Sequence, residues 1–184
     1  MHGDIHLYID SHNASLSSDE RLIRCARAYM CDNSISGNDF TIRRTERGKP
    51  FFPGLDAVHC SISHSGNYWV CAMARQIVGV DIQEHVTADT TAIANRFFHP
   101  AEAAYVIAND IDAFFSVWTA KESYVKCTGE GLTEAFGQFT VVAEGALNNK
   151  VEEMTFRHIR YTHGYSLCLC APLIDSIVMP LSIF

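Results

Sequence analysis

The sequence predicts an α+β fold, with a helix and antiparallel strands occurring in each half of the chain. Two patterns carry this expectation. Short runs in which apolar and polar residues alternate mark strands, and several are joined by connections too short for a helical crossover. Longer runs with apolar residues three and four apart, opened by capping residues and closed by glycine, mark helices. The 184 residues, 48% apolar and 19% charged, are enough for a buried core and exclude a disordered, collagen-like or coiled-coil chain.

In chain order, Ile5, Leu7 and Ile9 alternate with His6, Tyr8 and Asp10 as in a half-buried strand. Ser17 stands three residues before Glu20, a capping box opening a helix whose apolar face is Leu22, Cys25, Ala26 and Tyr29. Asn33 to Asn38 reads as loop. A basic loop between Ile42 and Phe51 carries Arg43, Arg44, Arg47 and Lys49. His59 to His64, Tyr68 to Ala74 and Ile77 to Gln83 then read as three strands of a meander, with a tight turn near Arg75-Gln76.

Three helices are expected next. Thr90 to Phe98 is the first; Pro100 and Glu102 open the second; Ile111 to Cys127 is the third, stopped by Gly129 and Gly131. Phe139 to Ala143, Met154 to Tyr161 and Tyr165 to Ala171 are strand-like, the last two joined by the hairpin signal Thr162-His163-Gly164. The division into units falls at 1–86 and 87–184.

Net charge is −7, which excludes a general nucleic-acid or anionic-membrane binder. The seven cysteines, an odd number without zinc-type spacing, read as free thiols in a reducing cytoplasm. Met1-His2-Gly3-Asp4 has no basic region followed by an apolar one, so no signal peptide is expected. No apolar run is long enough to span a membrane, and the apolar tail from Ile177 is interrupted by Pro180.

Candidate chemistry sits in three places. Val78, Val80 and Ile82 share one face of their strand while Asp81 and Gln83 share the other, where a carboxylate is either solvated or put to use. On the third helix, Lys121, Glu122 and Lys126 interrupt a surface that is apolar around much of its circumference. Glu122 and Lys126 could pair as i,i+4 neighbours. Embedded charges need partners, however, and a cation shared by carboxylates or a phosphate held by lysines would supply them. His64, at a strand end before Ser65-Gly66, is either a structural hydrogen-bonder or an anion contact. No nucleophile elbow, P-loop or dinucleotide fingerprint occurs.

Four segments together resemble the 4′-phosphopantetheinyl transferase superfamily in its longer, surfactin-synthetase-activating type. They are Gly48-Lys49-Pro50, Ser61-Ile62-Ser63-His64-Ser65, Val78-Gly79-Val80-Asp81-Ile82, and Trp118-Thr119-Ala120-Lys121-Glu122-Ser123-Tyr124-Val125-Lys126 running into Gly129-Glu130-Gly131-Leu132. The resemblance implies two similar α+β halves packed as a pseudo-dimer, usually a monomer, with one active site between the halves. It implies transfer of 4′-phosphopantetheine from coenzyme A to a serine of an apo acyl or peptidyl carrier protein, releasing adenosine 3′,5′-bisphosphate. It places Mg²⁺ on Asp81 and Glu122, and makes Glu122 and Lys126 catalytic. Ser61, Ser63, His64, Arg44, Lys49, Lys121, Lys126, Asp81 and, on the first helix, Arg21 fall to the coenzyme side.

One position departs from the family pattern. Gln83, two residues after Asp81, stands where this type often has Glu; it offers the metal a carbonyl oxygen without charge. That departure motivates an alternative expectation, a catalytically weak coenzyme A- or carrier-binding protein of the same fold.

Overall fold

The computed structural model describes residues 3–11, 16–129 and 136–180. The expected helix stop at Gly131 and the apolar tail beyond Pro180 lie outside the described residues. In chain order the elements are β1 (Asp4–Ser11), α1 (Ser18–Asp32), β2 (Arg43–Arg44), β3 (Pro50–Phe51), β4 (His59–Ser65), β5 (Tyr68–Ala74) and β6 (Gly79–Glu84). They continue as α2 (Thr90–Phe97), α3 (Pro100–Ala108), α4 (Ile111–Thr128), β7 (Val142–Ala143), β8 (Ala146–Leu147), β9 (Lys150–Val151), β10 (Met154–His158), β11 (Tyr165–Ala171) and β12 (Ser176–Val178). The fold is α+β.

Two four-stranded sheets form the frame, one in the order β12-β1-β5-β4 and the other β6-β11-β10-β9. Each takes one strand from across position 86: β6 joins the second sheet and β12 the first. Strand alternation explains the layering. Leu7, Val70, Val80, Ile82, Leu167 and Leu169 meet in a core shared by both sheets. The opposite residues of the first sheet, Tyr8, Cys71 and Met73, pack on Leu22, Cys25 and Tyr29 of α1. Cys168 and Cys170 of the second sheet pack with Phe114, Val117 and Val125 of α4. The seven cysteines are all free thiols. No helix among the described residues is long and apolar enough to cross a membrane.

The expected meander is corrected here. β4 and β5 do form a hairpin, in register from His59↔Ala74 to Ser65↔Tyr68. The far edge of β5 is occupied by β1, so β6 has no free ladder beside it. Beyond Arg75-Gln76 the chain crosses instead to β11, pairing Asp81 with Cys168 and Gln83 with Ser166. The edges β4 and β6 are then stitched by serine side chains. Ser61 Oγ accepts the Val80 N–H at 3.1 Å and Ser65 Oγ accepts the Glu84 N–H at 2.9 Å. Ser63 Oγ, between them, donates to Asp81 Oδ1 at 2.7 Å.

The strand expected at Phe139–Ala143 shrinks to Val142–Ala143 for a local reason. The Phe139 carbonyl accepts from Lys121 and the Val141 N–H donates to Glu102, so neither group is left for a ladder. The capping boxes at Ser17/Glu20 and His99/Glu102 form as their spacing requires.

Candidate active site

Helix α4 starts at Asp110, whose carboxylate accepts the Ala113 N–H, and ends at Gly129 with a left-handed φ of 81°. It lies directly on β6 because Gly79 has no side chain. A Cβ there would strike the Ser123 carbonyl oxygen and stand 2.6 Å from the Cys127 nitrogen. That close approach sets the last turns of α4 over Asp81, two residues further along the same face of β6.

Lys126 Nζ donates to Asp81 Oδ1 at 2.6 Å and to Ser63 Oγ at 3.0 Å. Asp81 is 4% exposed, and its second oxygen, Oδ2, is buried with no hydrogen-bond partner among the described residues. Glu122, one turn before Lys126 on α4, is 6% exposed. Burial first, then repulsion from Asp81, pushes its carboxyl up to about 7, against the opposing attraction of Lys126. Asp81 is shifted upward too, by burial, with Lys126 opposing. Two buried carboxyls whose proton affinities are both raised, beside one ammonium, are a site short of positive charge.

A divalent cation fits that deficit. Among the described residues no three His, Cys, Asp or Glu side chains gather to hold an ion. Mg²⁺ nevertheless is commonly held by one or two carboxylates, with substrate phosphates and waters completing its shell. Asp81 Oδ2, buried and unpartnered, and the Glu122 carboxylate are hard oxygen donors of that kind.

The other sequence-nominated residues separate into three groups. His64 and Ser63 are adjacent in β4 and so face opposite ways: Ser63 reaches Asp81, while His64 is exposed on the α1 side. Across the ladder from His64 is Trp69, whose indole N–H donates to Ser18 Oγ at 2.9 Å at the start of α1. Arg44 donates to Asp19 at 2.6 Å, and Arg21, buried, donates through Nε to Asp10 at 2.6 Å with its guanidinium 6.0 Å from the Trp69 ring centre. Arg21, Arg44 and His64 thus gather around the amino end of α1.

A second group serves the frame. Ser61 stitches β4 to β6 as described above, and Gln83, partly buried, donates to the Glu84 carbonyl at 3.3 Å. The third group is two lysines that the structure does not bring to the carboxylates. Lys121, fully buried, donates to Glu102 and to the Phe139 carbonyl at 2.9 and 2.8 Å. Its ammonium is enclosed with these two partners, away from Asp81 and Lys126. Lys49 Nζ contacts the carbonyls of Lys126, Cys127 and Val78 at 2.5, 3.2 and 3.3 Å.

Two residues escaped the sequence reading. Gly79 was legible only as part of a motif, although a glycine inside an alternating strand is itself a sign of close backbone approach. Glu102 carried no signal beyond its place in a first helical turn, because its partner Lys121 lies on another helix.

The geometry is matched by relatedness. Residues 77–170 match the model of the 4′-phosphopantetheinyl transferase superfamily, and the chain belongs to that family. It is 36% identical over 136 residues to a 4′-phosphopantetheinyl transferase of Bacillus subtilis, covering 72% of this chain and 58% of the relative. To the transferase gsp of Aneurinibacillus migulanus it is 33% identical over 156 residues, 78% of this chain and 63% of the relative. To Sfp of Bacillus subtilis strain 168 it is 37% identical over 120 residues, covering 63% and 51%. The chain thus spans somewhat more than half the length of these relatives.

Proposed function

We propose that this chain transfers 4′-phosphopantetheine from coenzyme A to a serine hydroxyl of an apo acyl or peptidyl carrier protein, with Mg²⁺, releasing adenosine 3′,5′-bisphosphate. The observation that carries the proposal is the Ser63–Asp81–Lys126 network with its unpartnered carboxylate oxygen beside Glu122. The names of the similar proteins support the same reaction class. The seam between the two sheets, where β4 meets β6, is our candidate for the cleft of a pseudo-dimeric, monomeric enzyme.

Asp81 and Glu122 would hold the Mg²⁺, which when bound neutralises charge on the diphosphate and orients its oxygens. The remaining work falls to this chain's own groups. Glu122, a buried carboxylate beside Asp81 and Lys126, is our candidate to accept the proton of the serine hydroxyl. The serine oxygen forms a bond to the phosphorus bearing pantetheine. The bond from that phosphorus to the bridging oxygen breaks, and adenosine bisphosphate leaves with the electron pair. Lys126, 29% exposed at its side chain, supplies a charge-assisted hydrogen bond to that departing phosphate. We assign the coenzyme's 3′-phosphate to the amino end of α1, where Arg44 and His64 are exposed and the helix terminus favours anions.

The test is incubation of the folded protein with coenzyme A, MgCl₂ and a panel of apo carriers, followed by intact mass spectrometry. A carrier gaining one phosphopantetheinyl group, with release of adenosine 3′,5′-bisphosphate, is the expected result. No gain on any carrier, with coenzyme A still bound, would favour a binding protein of the same fold.

A further inference from the structure

We infer that Lys49 is a positioning residue for Lys126: it bolts the carboxyl end of α4 to the start of β6, and it is not a contact for the coenzyme. The inference rests on the transfer reaction proposed above. A lysine in an arginine-rich loop invites assignment to an anion, yet this ammonium is already spent. Its three N–H donors meet three carbonyls, those of Lys126, Cys127 and Val78. Two belong to the last turn of α4, where carbonyls lack intrahelical partners and the helix dipole is negative; the third lies just before β6. Burial lowers the lysine's proton affinity, and the three carbonyls oppose that shift by accepting from its charged form.

The loop is built to deliver that ammonium. Thr45 N–H donates to the Lys49 carbonyl at 2.9 Å and Gly48 N–H to the Thr45 carbonyl at 2.8 Å. Gly48 turns the chain with a φ of 82°, a conformation glycine adopts without steric cost. Thr45 Oγ1 also accepts the Lys49 N–H. Arg47 from the same turn donates to the Gly129 carbonyl at 3.1 Å, a second cation on the same helix end. On the far side, Cys60 Sγ donates to the Pro50 carbonyl and ties the loop's exit to β4.

The consequence falls on Lys126. Lys49 holds the carbonyl of the residue whose ammonium must meet Asp81, and Gly79 admits the same turn of helix to β6. Loss of the clamp lets that turn fray and moves the Lys126 ammonium off the Asp81–Ser63 pair. Displacements near 1 Å at a reacting group cost on the order of 100-fold in rate. The coenzyme's 3′-phosphate, assigned above to the amino end of α1, lies apart from that turn, so the loss falls on kcat rather than on KM.

Lys49→Met and Lys49→Arg in the full chain test this by steady-state transfer kinetics and amide hydrogen exchange. For Lys49→Met the expectation is a fall in kcat of about 10- to 100-fold with KM for coenzyme A unchanged. Faster exchange should be confined to the last two turns of α4 and its cap, residues 122–129. Lys49→Arg, which keeps charge and donors, should recover part of kcat and of the protection. A raised KM with kcat preserved would overturn the inference, as would unchanged exchange at 122–129. An inactive wild type would defeat the proposed reaction, and the exchange measurement would still decide whether Lys49 holds the helix.

Discussion

Helix α4 carries two lysine–carboxylate pairs five residues apart, and they do opposite things. Lys121 and Glu102 are both fully buried and fully occupied. Glu102 accepts from Lys121, from the Val141 N–H and from the His99 N–H, while Lys121 also reaches the Phe139 carbonyl. Lys126 and Asp81 are less enclosed at the lysine and incomplete at the acid, with one carboxylate oxygen unpartnered and a second acid beside it. A buried charge with every donor and acceptor matched is architecture; one left short is available for a ligand. The same residue types on one helix therefore give a joint at Lys121 and a candidate site at Lys126.

The largest expected effect comes from breaking the joint. Glu102→Ala leaves Lys121 buried without its counter-charge and orphans the Val141 N–H, and should cost about 3–5 kcal/mol of stability. Denaturant unfolding would show it. A loss under about 1 kcal/mol would mean that the pair is not buried as described. Asp81→Asn and Glu122→Gln should instead spare the fold and reduce transfer about 100- to 1000-fold, the scale of removing one preorganised electrostatic group. Equal damage to stability at both pairs would erase the distinction between them.

The unsatisfied site also predicts a pH dependence. Glu122 has its proton affinity raised in the folded state, from an ordinary value of 4.5 to about 7. Its contribution to stability is therefore complete below about 4.5 and is lost as pH rises through about 7. In metal-free protein, wild type should lose stability relative to Glu122→Gln across that window, by at most ~3 kcal/mol. The comparison with Glu122→Gln cancels His6, His59 and His158, which burial shifts downward and which act in the opposite sense. A pH-independent difference between the two proteins would show that Glu122 is not desolvated beside Asp81.

The fold class and the helices were legible because each depends on local signals, and so were Glu122 and Lys126 of the candidate site, whereas Asp81 stood out only through the family resemblance. Period-two alternation marked β1, β4 and β6, capping residues marked α1 and α3, and charges inside an apolar helix marked Glu122 and Lys126. Pairing was not legible. Nothing between Ala74 and Gly79 reports that β1 has already taken the edge of β5, so the short connection read as a meander when it changes sheets. Lys121 and Lys126 look alike in sequence for a related reason: their partners, Glu102 and Asp81, lie 19 and 45 residues away. Ligand and joint are told apart only by what surrounds each ammonium.

The smallest effect, and the finest comparison, lies within β4. Ser61 and Ser63 face the same way, two residues apart, yet one stitches backbone and the other touches the site. Ser61→Ala removes the acceptor of the buried Val80 N–H and should cost about 1–3 kcal/mol of stability, with transfer little changed. Ser63→Ala leaves Asp81 Oδ1 still bound by Lys126, so its stability cost should be smaller, about 1 kcal/mol or less. Its effect should appear in kcat, because Lys126 loses one of the two oxygens that fix its ammonium. Unfolding and transfer measured on both variants would separate the roles. A rate lost in Ser61→Ala and kept in Ser63→Ala would reverse them and place the site on the stitch.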